Sequence, residues 1–113
     1  KLVDRKTNMI ISGGENIYPA EVENALGSHE KINDIAIVGK LDKKWGEIVI
    51  AFVVLQEGKE VSEEKLIKWS KKKLASYKCP KKIIFIKDKD MPRNATGKIL
   101  HKELRDIVNK NEK

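Results

Sequence analysis

At 113 residues, 36% of them charged and with a net charge of +7, the chain can hold one modest core but not a core plus an independent second unit, which excludes a complete two-substrate enzyme of ordinary size. One cysteine, Cys79, and two histidines leave no disulfide framework and no metal site built on thiolates. The longest apolar run, IVIAFVVL at residues 48–55, has strand length and falls far short of a membrane span, so a cytoplasmic domain without a membrane span is expected.

Residues 1–8 run directly into a patterned stretch with no initiator methionine, and a piece of a longer protein is expected. Residues 9–11 are a short apolar stretch that stops at Ser12-Gly13-Gly14, a turn signal that frees the backbone for unusual dihedrals. A helix follows from Pro19, a residue suited to the first helical position, and carries Val22, Ala25 and Leu26 on one face up to Gly27. INDIAIV at residues 32–38 and EIVIAFVVL at residues 47–55 are rich in β-branched residues and predict strands. The intervening GKLDKKWG predicts a loop of hairpin size and an antiparallel pair.

Ser62 followed by Glu63 and Glu64 predicts the start of a second helix, a hydroxyl cap with acids in the first turn. Leu66, Ser70, Leu74 and Tyr77 fall on its inner face, with Ile67 beside them, and Pro80 closes the segment. IIFI at residues 83–86 predicts a third strand, and a last helix from about Ile99 carries Leu100, Leu104, Ile107 and Val108. This order implies an α+β layer in which helices flank a small, mostly antiparallel three-stranded sheet.

The charge is unevenly spread. Residues 1–64 carry 8 Lys/Arg against 12 Asp/Glu, or −4, and residues 65–113 carry 16 against 5, or +11. A basic half of this kind suits nucleic acid, an anionic surface or a small polyanion. Aromatics make up only 5% of the chain, which leaves few stacking platforms for the different-class reading, a basic nucleic-acid-binding module.

PRNATGKIL at residues 92–100 has the Gly97-Lys98 spacing of a phosphate loop. Pro92 stands where its first glycine belongs and Ile99 where its magnesium-binding hydroxyl belongs. Proline has no amide to offer a phosphate, so the backbone cradle of such a loop is missing. Two readings stay open on residues alone: a solvent-facing lysine, or a mobile point charge on a glycine turn aimed at a phosphate or carboxylate. SGGENIYPAEVE is equally ambiguous, since its glycines either admit a ligand or merely turn the chain.

Taken in order, VDRKTNMIISGGENIYPAEVE, VGKLDKKWGEIVIAFVVL, LASYKCPKKIIFI and MPRNATGKILHKELR resemble the C-terminal domain of the adenylate-forming (AMP-binding) enzymes, and within them most resemble the acyl-CoA synthetases. The likeness runs from Val3 to about Val108. It implies that residues 1–113 are the mobile C-terminal domain of a ligase, with residues 1–8 as hinge to an N-terminal adenylation domain and a short N-terminal β-ribbon near that hinge. Such enzymes form an acyl-adenylate from ATP and a carboxylic acid, then a coenzyme A thioester, and the small domain presents a different face in each step. Magnesium would come with ATP, held mainly by the N-terminal domain.

The resemblance also implies residue roles. Lys98 corresponds to the lysine that bridges carboxylate and α-phosphate during adenylation, a target of acetylation in the family, with Thr96 and Gly97 shaping its turn. Arg5 corresponds to a nucleotide-binding arginine at the domain junction. The hinge comprises Arg5, Lys6 and Thr7, where Thr7 departs from the usual Asp or Lys and Asn8 from a common Asp. Gly13, Gly14 and Glu15 correspond to the loop that lines the pantetheine tunnel; Asn16 completes it, and Tyr18 and Pro19 act as packing. Trp45, Gly46 and Glu47 correspond to a structural motif. The basic half then has a candidate purpose: Lys71, Lys72, Lys73, Lys78, Lys81 and Lys82 are expected near the nucleotide end of CoA, with Lys81 and Lys82 as candidate contacts to its phosphates. The wording of the glycine loop resembles that of acyl- and aryl-CoA ligases; a medium- or long-chain fatty acid–CoA ligase is the main expectation, with an aryl-acid or succinylbenzoate–CoA ligase as the alternative. The isolated domain is expected to be inactive.

Overall fold

The computed structural model describes residues 9–110. The hinge expected at residues 1–8, with Arg5, Lys6 and Thr7, lies outside the described residues.

Strands β1 (Ile10–Ser12) and β2 (Glu15–Ile17) pair antiparallel as a two-stranded ribbon, with Ser12 opposite Glu15. The two residues between them, Gly13 and Gly14, both have positive φ, 58° and 85°. Such a turn matches the right-handed twist of a hairpin and is strained for residues with a side chain. The expected ribbon is therefore present.

Helix α1 (Pro19–Leu26) starts on its proline and buries Pro19, Val22 and Leu26. Strands β3 (Ile32–Asp42) and β4 (Gly46–Leu55) form a long antiparallel hairpin. It reaches further than expected, because the connection is only residues 43–45. Asp42 Oδ2 accepts from the backbone N–H groups of Lys44 and Trp45, at 3.0 and 2.8 Å, and Gly46 takes φ 87°. The side-chain cap turns the chain early, so Gly39 to Asp42 stay in the ladder.

Helix α2 (Glu63–Lys73) is capped by Ser62, whose hydroxyl accepts from Lys65 N–H. It ends at Lys73, short of Tyr77. A 3-10 turn (Ser76–Lys78) takes over, because the chain must return to the start of β4, where Lys81 N–H donates to the Val49 carbonyl. Tyr77, expected on the buried face, is 42% exposed. Strand β5 (Lys82–Phe85) runs parallel to β4, so the three-stranded sheet, in order β3-β4-β5, is mixed: a long antiparallel pair and a short parallel one. Helix α3 (His101–Lys110) begins two residues later than expected, since Ile99 is held in a bridge to Arg93.

The hairpin is buried on both faces, as its nearly continuous apolar runs require. One face, with Ile35, Ile37, Val49, Ala51 and Val53, packs on the ribbon, α1 and α2. The other, with Ala36, Val38, Ile50, Phe52 and Val54, packs on Leu104 and Val108 of α3. Cys79 is buried and unpaired.

Three strands leave two open edges, whose outward N–H and C=O groups need partners. On β3, Ile37 N–H donates to Glu23 Oε2 at 2.9 Å and Leu41 N–H to Asn109 Oδ1 at 2.8 Å, while Asn109 Nδ2 donates to the Gly39 carbonyl at 3.3 Å. On β5, Ile83 N–H donates to Glu63 Oε2 at 2.9 Å. Helix side chains thus replace a fourth and a fifth strand. Asn109→Ala is expected to lower the unfolding free energy by about 0.5–1.5 kcal/mol, with Asn109→Asp losing less because its carboxylate still accepts from Leu41; urea denaturation of the three proteins measures it.

Candidate functional site

The glycine turn sits against the far end of the hairpin. Gly13 N–H donates to the Trp45 carbonyl at 2.8 Å, and Ile11 N–H to Glu47 Oε1 at 2.8 Å. A Cβ on Gly13 would stand 2.9 Å from Trp45 Cε3, while one on Gly14 would meet nothing within 4 Å. Gly13 is therefore needed for packing as well as for its φ, and Gly14 leaves bare backbone facing open space. Beside the turn lies a cleft of about 280 Å³ lined by Ser12, Gly13, Glu15, Trp45, Tyr77 and Lys81. Lys81 Nζ stands 5.4 Å and Lys44 Nζ 5.3 Å from the centre of the Trp45 ring. With two ammonium groups over the Trp45 ring, the mouth of the cleft is positively charged and suits an anionic ligand.

Of the lysines expected near CoA, the structure brings Lys81 to this cleft, and Lys82 follows it as the first residue of β5. Lys78 is engaged elsewhere, with Nζ 2.9 Å from both oxygens of Glu21, and Lys73 lies over Trp69 at 5.2 Å. Lys71 and Lys72 are exposed in the last turn of α2.

Lys98 sits on a second turn built by different means. Asn94 Oδ1 accepts from Thr96 N–H at 3.0 Å, Thr96 Oγ1 at 2.8 Å and Lys98 N–H at 2.9 Å. Backbone bonds join Asn94 N–H to the Lys98 carbonyl and Gly97 N–H to the Asn94 carbonyl, both at 2.9 Å, with Gly97 at φ 90°. One amide side chain thus acts as the hub of the turn, and its tip, residues 94–98, is exposed. The root is held by Arg93, whose Nη2 contacts Asp34 Oδ2 at 2.7 Å and Asp88 Oδ1 at 2.8 Å and whose Nη1 donates to the Asp88 carbonyl at 3.1 Å.

On the other side of the turn, at the first residue of α3, His101 Nε2 lies 2.6 Å from Glu23 Oε2, with the two side chains only 20% and 22% exposed. The hydrogen bond to the Glu23 carboxylate holds the His101 imidazole above its ordinary range; burial and the nearby Lys98 cation pull the other way.

The glycine turn is tied to the hairpin connection after Asp42. The lysine turn has two anchors along β3: Arg93 on Asp34, eight residues or about 26 Å of strand from Asp42 at ~3.3 Å per residue, and His101, which reaches Ile37 through Glu23 and lines a small cavity with Ile10 and Glu47. A larger, shallow groove of about 860 Å³ passes Phe85 and Lys87 and holds none of the expected site residues.

The AMP-binding enzyme C-terminal domain family model matches residues 21–98. The chain belongs to that family. A 2-succinylbenzoate–CoA ligase of Bacillus cereus is 48% identical over 107 residues, covering 95% of this chain and 21% of the relative. Among solved structures, a fatty acyl CoA synthetase of Mycobacterium tuberculosis is 45% identical with a TM-score of 0.83, covering 92% of this chain and 20% of that one. An o-succinylbenzoate CoA synthetase of Bacillus subtilis, solved with a product analogue, is 47% identical with a TM-score of 0.80, covering 88% and 20%. The chain spans about a fifth of the length of the relatives it matches.

In this AMP-binding enzyme C-terminal domain, sequence reasoning singled out Lys98, Gly13 and Gly14 but missed their supports. Asn94 two residues before Thr96 carries a local turn signal. The Arg93–Asp34 and His101–Glu23 pairs join residues 59 and 78 apart in the chain and have no local signature.

Asn94→Ala is expected to speed amide hydrogen exchange at Thr96 and Lys98 by about tenfold or more while leaving the melting temperature within a few degrees, because exposed turns open locally; exchange measured by NMR checks it. His101, raised on folding, contributes stability that is complete below its unfolded pKa of about 6.5 and is lost as pH rises through the higher folded value. Unfolding free energy in urea is therefore expected to fall over that window in the native chain and to lose this slope in His101→Gln.

Proposed function

We propose that the chain is the mobile C-terminal domain of an ATP-dependent acid–CoA ligase, with 2-succinylbenzoate or a related aryl acid as the carboxylic acid. The observation that carries the reading is the presence, on one small domain, of two separate exposed turns, one of bare glycine backbone and one that bears Lys98. A domain of that design can offer a different face to each of two steps.

In the first step a carboxylate oxygen attacks the α-phosphate of ATP and pyrophosphate leaves. Lys98 is a long, compact cation on an exposed tip. It would sit between the two anionic reactants, orienting them and stabilising the charge that builds on the α-phosphate oxygens. Magnesium would travel with the nucleotide on the N-terminal domain. In the second step the CoA sulfur attacks the acyl carbon and AMP leaves. Gly13 and Gly14 would line the pantetheine path, where any side chain would narrow it, and the Trp45 face with Lys81 and Lys82 would receive the nucleotide end of CoA. Arg5, Lys6 and Thr7 would form the hinge, with Arg5 near the nucleotide.

The succinylbenzoate alternative is preferred to the fatty-acid reading because curated relatives at 46–48% identity are 2-succinylbenzoate–CoA ligases, a small margin over the fatty acyl CoA synthetase at 45%.

In the full-length protein Lys98→Ala is expected to slow acyl-adenylate formation by on the order of 10²–10³-fold, while thioester formation from pre-made acyl-adenylate stays within a few-fold. Equal loss of both half-reactions would remove the role given to Lys98. With the native full-length protein, kcat/KM for 2-succinylbenzoate is expected to exceed that for palmitate by about 10²-fold or more; the reverse order would restore the fatty-acid reading.

A further inference from the structure

The lysine turn braces itself internally through Asn94, but internal bonds do not aim it. Its direction depends on its two roots. One is Arg93, gripped by Asp34 and Asp88. The other is the start of α3, where His101 follows Lys98 by three residues. The segment between them is short and bonded back to the other root, since Ile99 bridges Arg93 and Leu100 N–H donates to the Pro92 carbonyl at 2.9 Å, so the start of α3 and the base of Lys98 form one connected unit.

What holds that start is a bond around the edge of the sheet. α1 covers one face of β3 and α3 the other. Glu23 of α1 and His101 of α3 meet at 2.6 Å, and the same Glu23 oxygen accepts the outward N–H of Ile37 at 2.9 Å. A carboxylate oxygen with two donors is fixed in place, so His101 is tied to the backbone of β3 through a single atom. The groups facing His101 are Glu23 from α1, Glu47 from β4 and Arg105 from α3 across a small cavity, and Lys98 from the turn. Among these, Glu23 is the partner at hydrogen-bond distance.

We propose that His101 is a positioning residue for adenylation: by clasping Glu23 across the edge of β3 it holds the first turn of α3, and so sets where Lys98 points. The inference rests on the role assigned to Lys98. A misplacement of about 1 Å in a charge-stabilising group can slow a reaction on the order of 10²-fold, and the long lysine stem magnifies any tilt at its base. A merely structural pair would affect both half-reactions through the folded fraction alone.

The test uses the full-length protein and both half-reactions. His101→Leu is expected to lower kcat for acyl-adenylate formation by about 10–100-fold, with KM for ATP and acid within about threefold and thioester formation from pre-made acyl-adenylate within twofold. His101→Gln, which keeps a neutral donor, is expected to recover most of the loss. In a Lys98→Ala background His101→Leu should add little, since both changes act through one group. The inference is overturned if His101→Leu adenylates at the native rate, if both half-reactions fall together, or if the effects of His101→Leu and Lys98→Ala multiply. If His101→Leu fails to fold, Glu23→Gln decides by the same criteria. Lys98→Ala alone separates the two claims: if it spares adenylation, the assigned role of Lys98 fails; if it abolishes adenylation while His101→Leu does not, only the role of His101 fails.

Discussion

The open edge of β3 is the constraint on which the arrangement depends. A three-stranded sheet with both faces buried has no spare strand for its edges, and unpaired backbone groups beside a buried core are expensive. Side chains from two helices therefore serve as the missing neighbour: Glu23 for Ile37, and Asn109 for Leu41 and Gly39. For this, α1 and α3 must run along the same edge although they cover opposite faces. Once there, Glu23 and His101 meet, and the three layers are joined outside the core.

That joint matters because each helix is the continuation of a candidate site turn. α1 follows the glycine turn through β2 and Pro19, and α3 follows the lysine turn through Ile99 and Leu100. The two turns obey different physics. The glycine turn is defined by dihedrals that residues with side chains avoid and by the close approach of the Trp45 ring, so its useful property is the absence of a side chain. The lysine turn is defined by one amide hub, Asn94, and its useful property is a single long charge. Carrying both on one small domain would suit the two-step chemistry proposed above.

The relatives resemble this chain about equally whether their acid is a succinylbenzoate or a fatty acid, at 44–48% identity. The roles proposed for these residues would account for this. Lys98 would act on a carboxylate and a phosphate, and the cleft at Trp45 on a nucleotide; every acid of this class presents the same reacting atoms. Selectivity for the remainder of the acid would rest with surfaces supplied by another part of the protein.

Much of the local structure was legible in the chain itself. Gly13-Gly14, Pro19, the β-branched runs, the Ser62 cap and the lysine before Ile99 each act through neighbours within a few residues, and the ordered motifs they form mark the family. Local rules also set the errors: helical spacing continues past Lys73 to Tyr77 although α2 ends at Lys73, and the glycines and charges of GKLDKKWG predict a longer loop than the three residues that connect the strands. Tertiary structure alone decided that β5 runs parallel to β4, that Trp45 covers Gly13, that Arg93 grips Asp34, and that Glu23 reaches His101 around the sheet edge. These contacts join residues from 32 to 78 apart. Periodicity shows which face of an element is buried, but which distant side chain answers a given backbone group depends on the packing of whole layers.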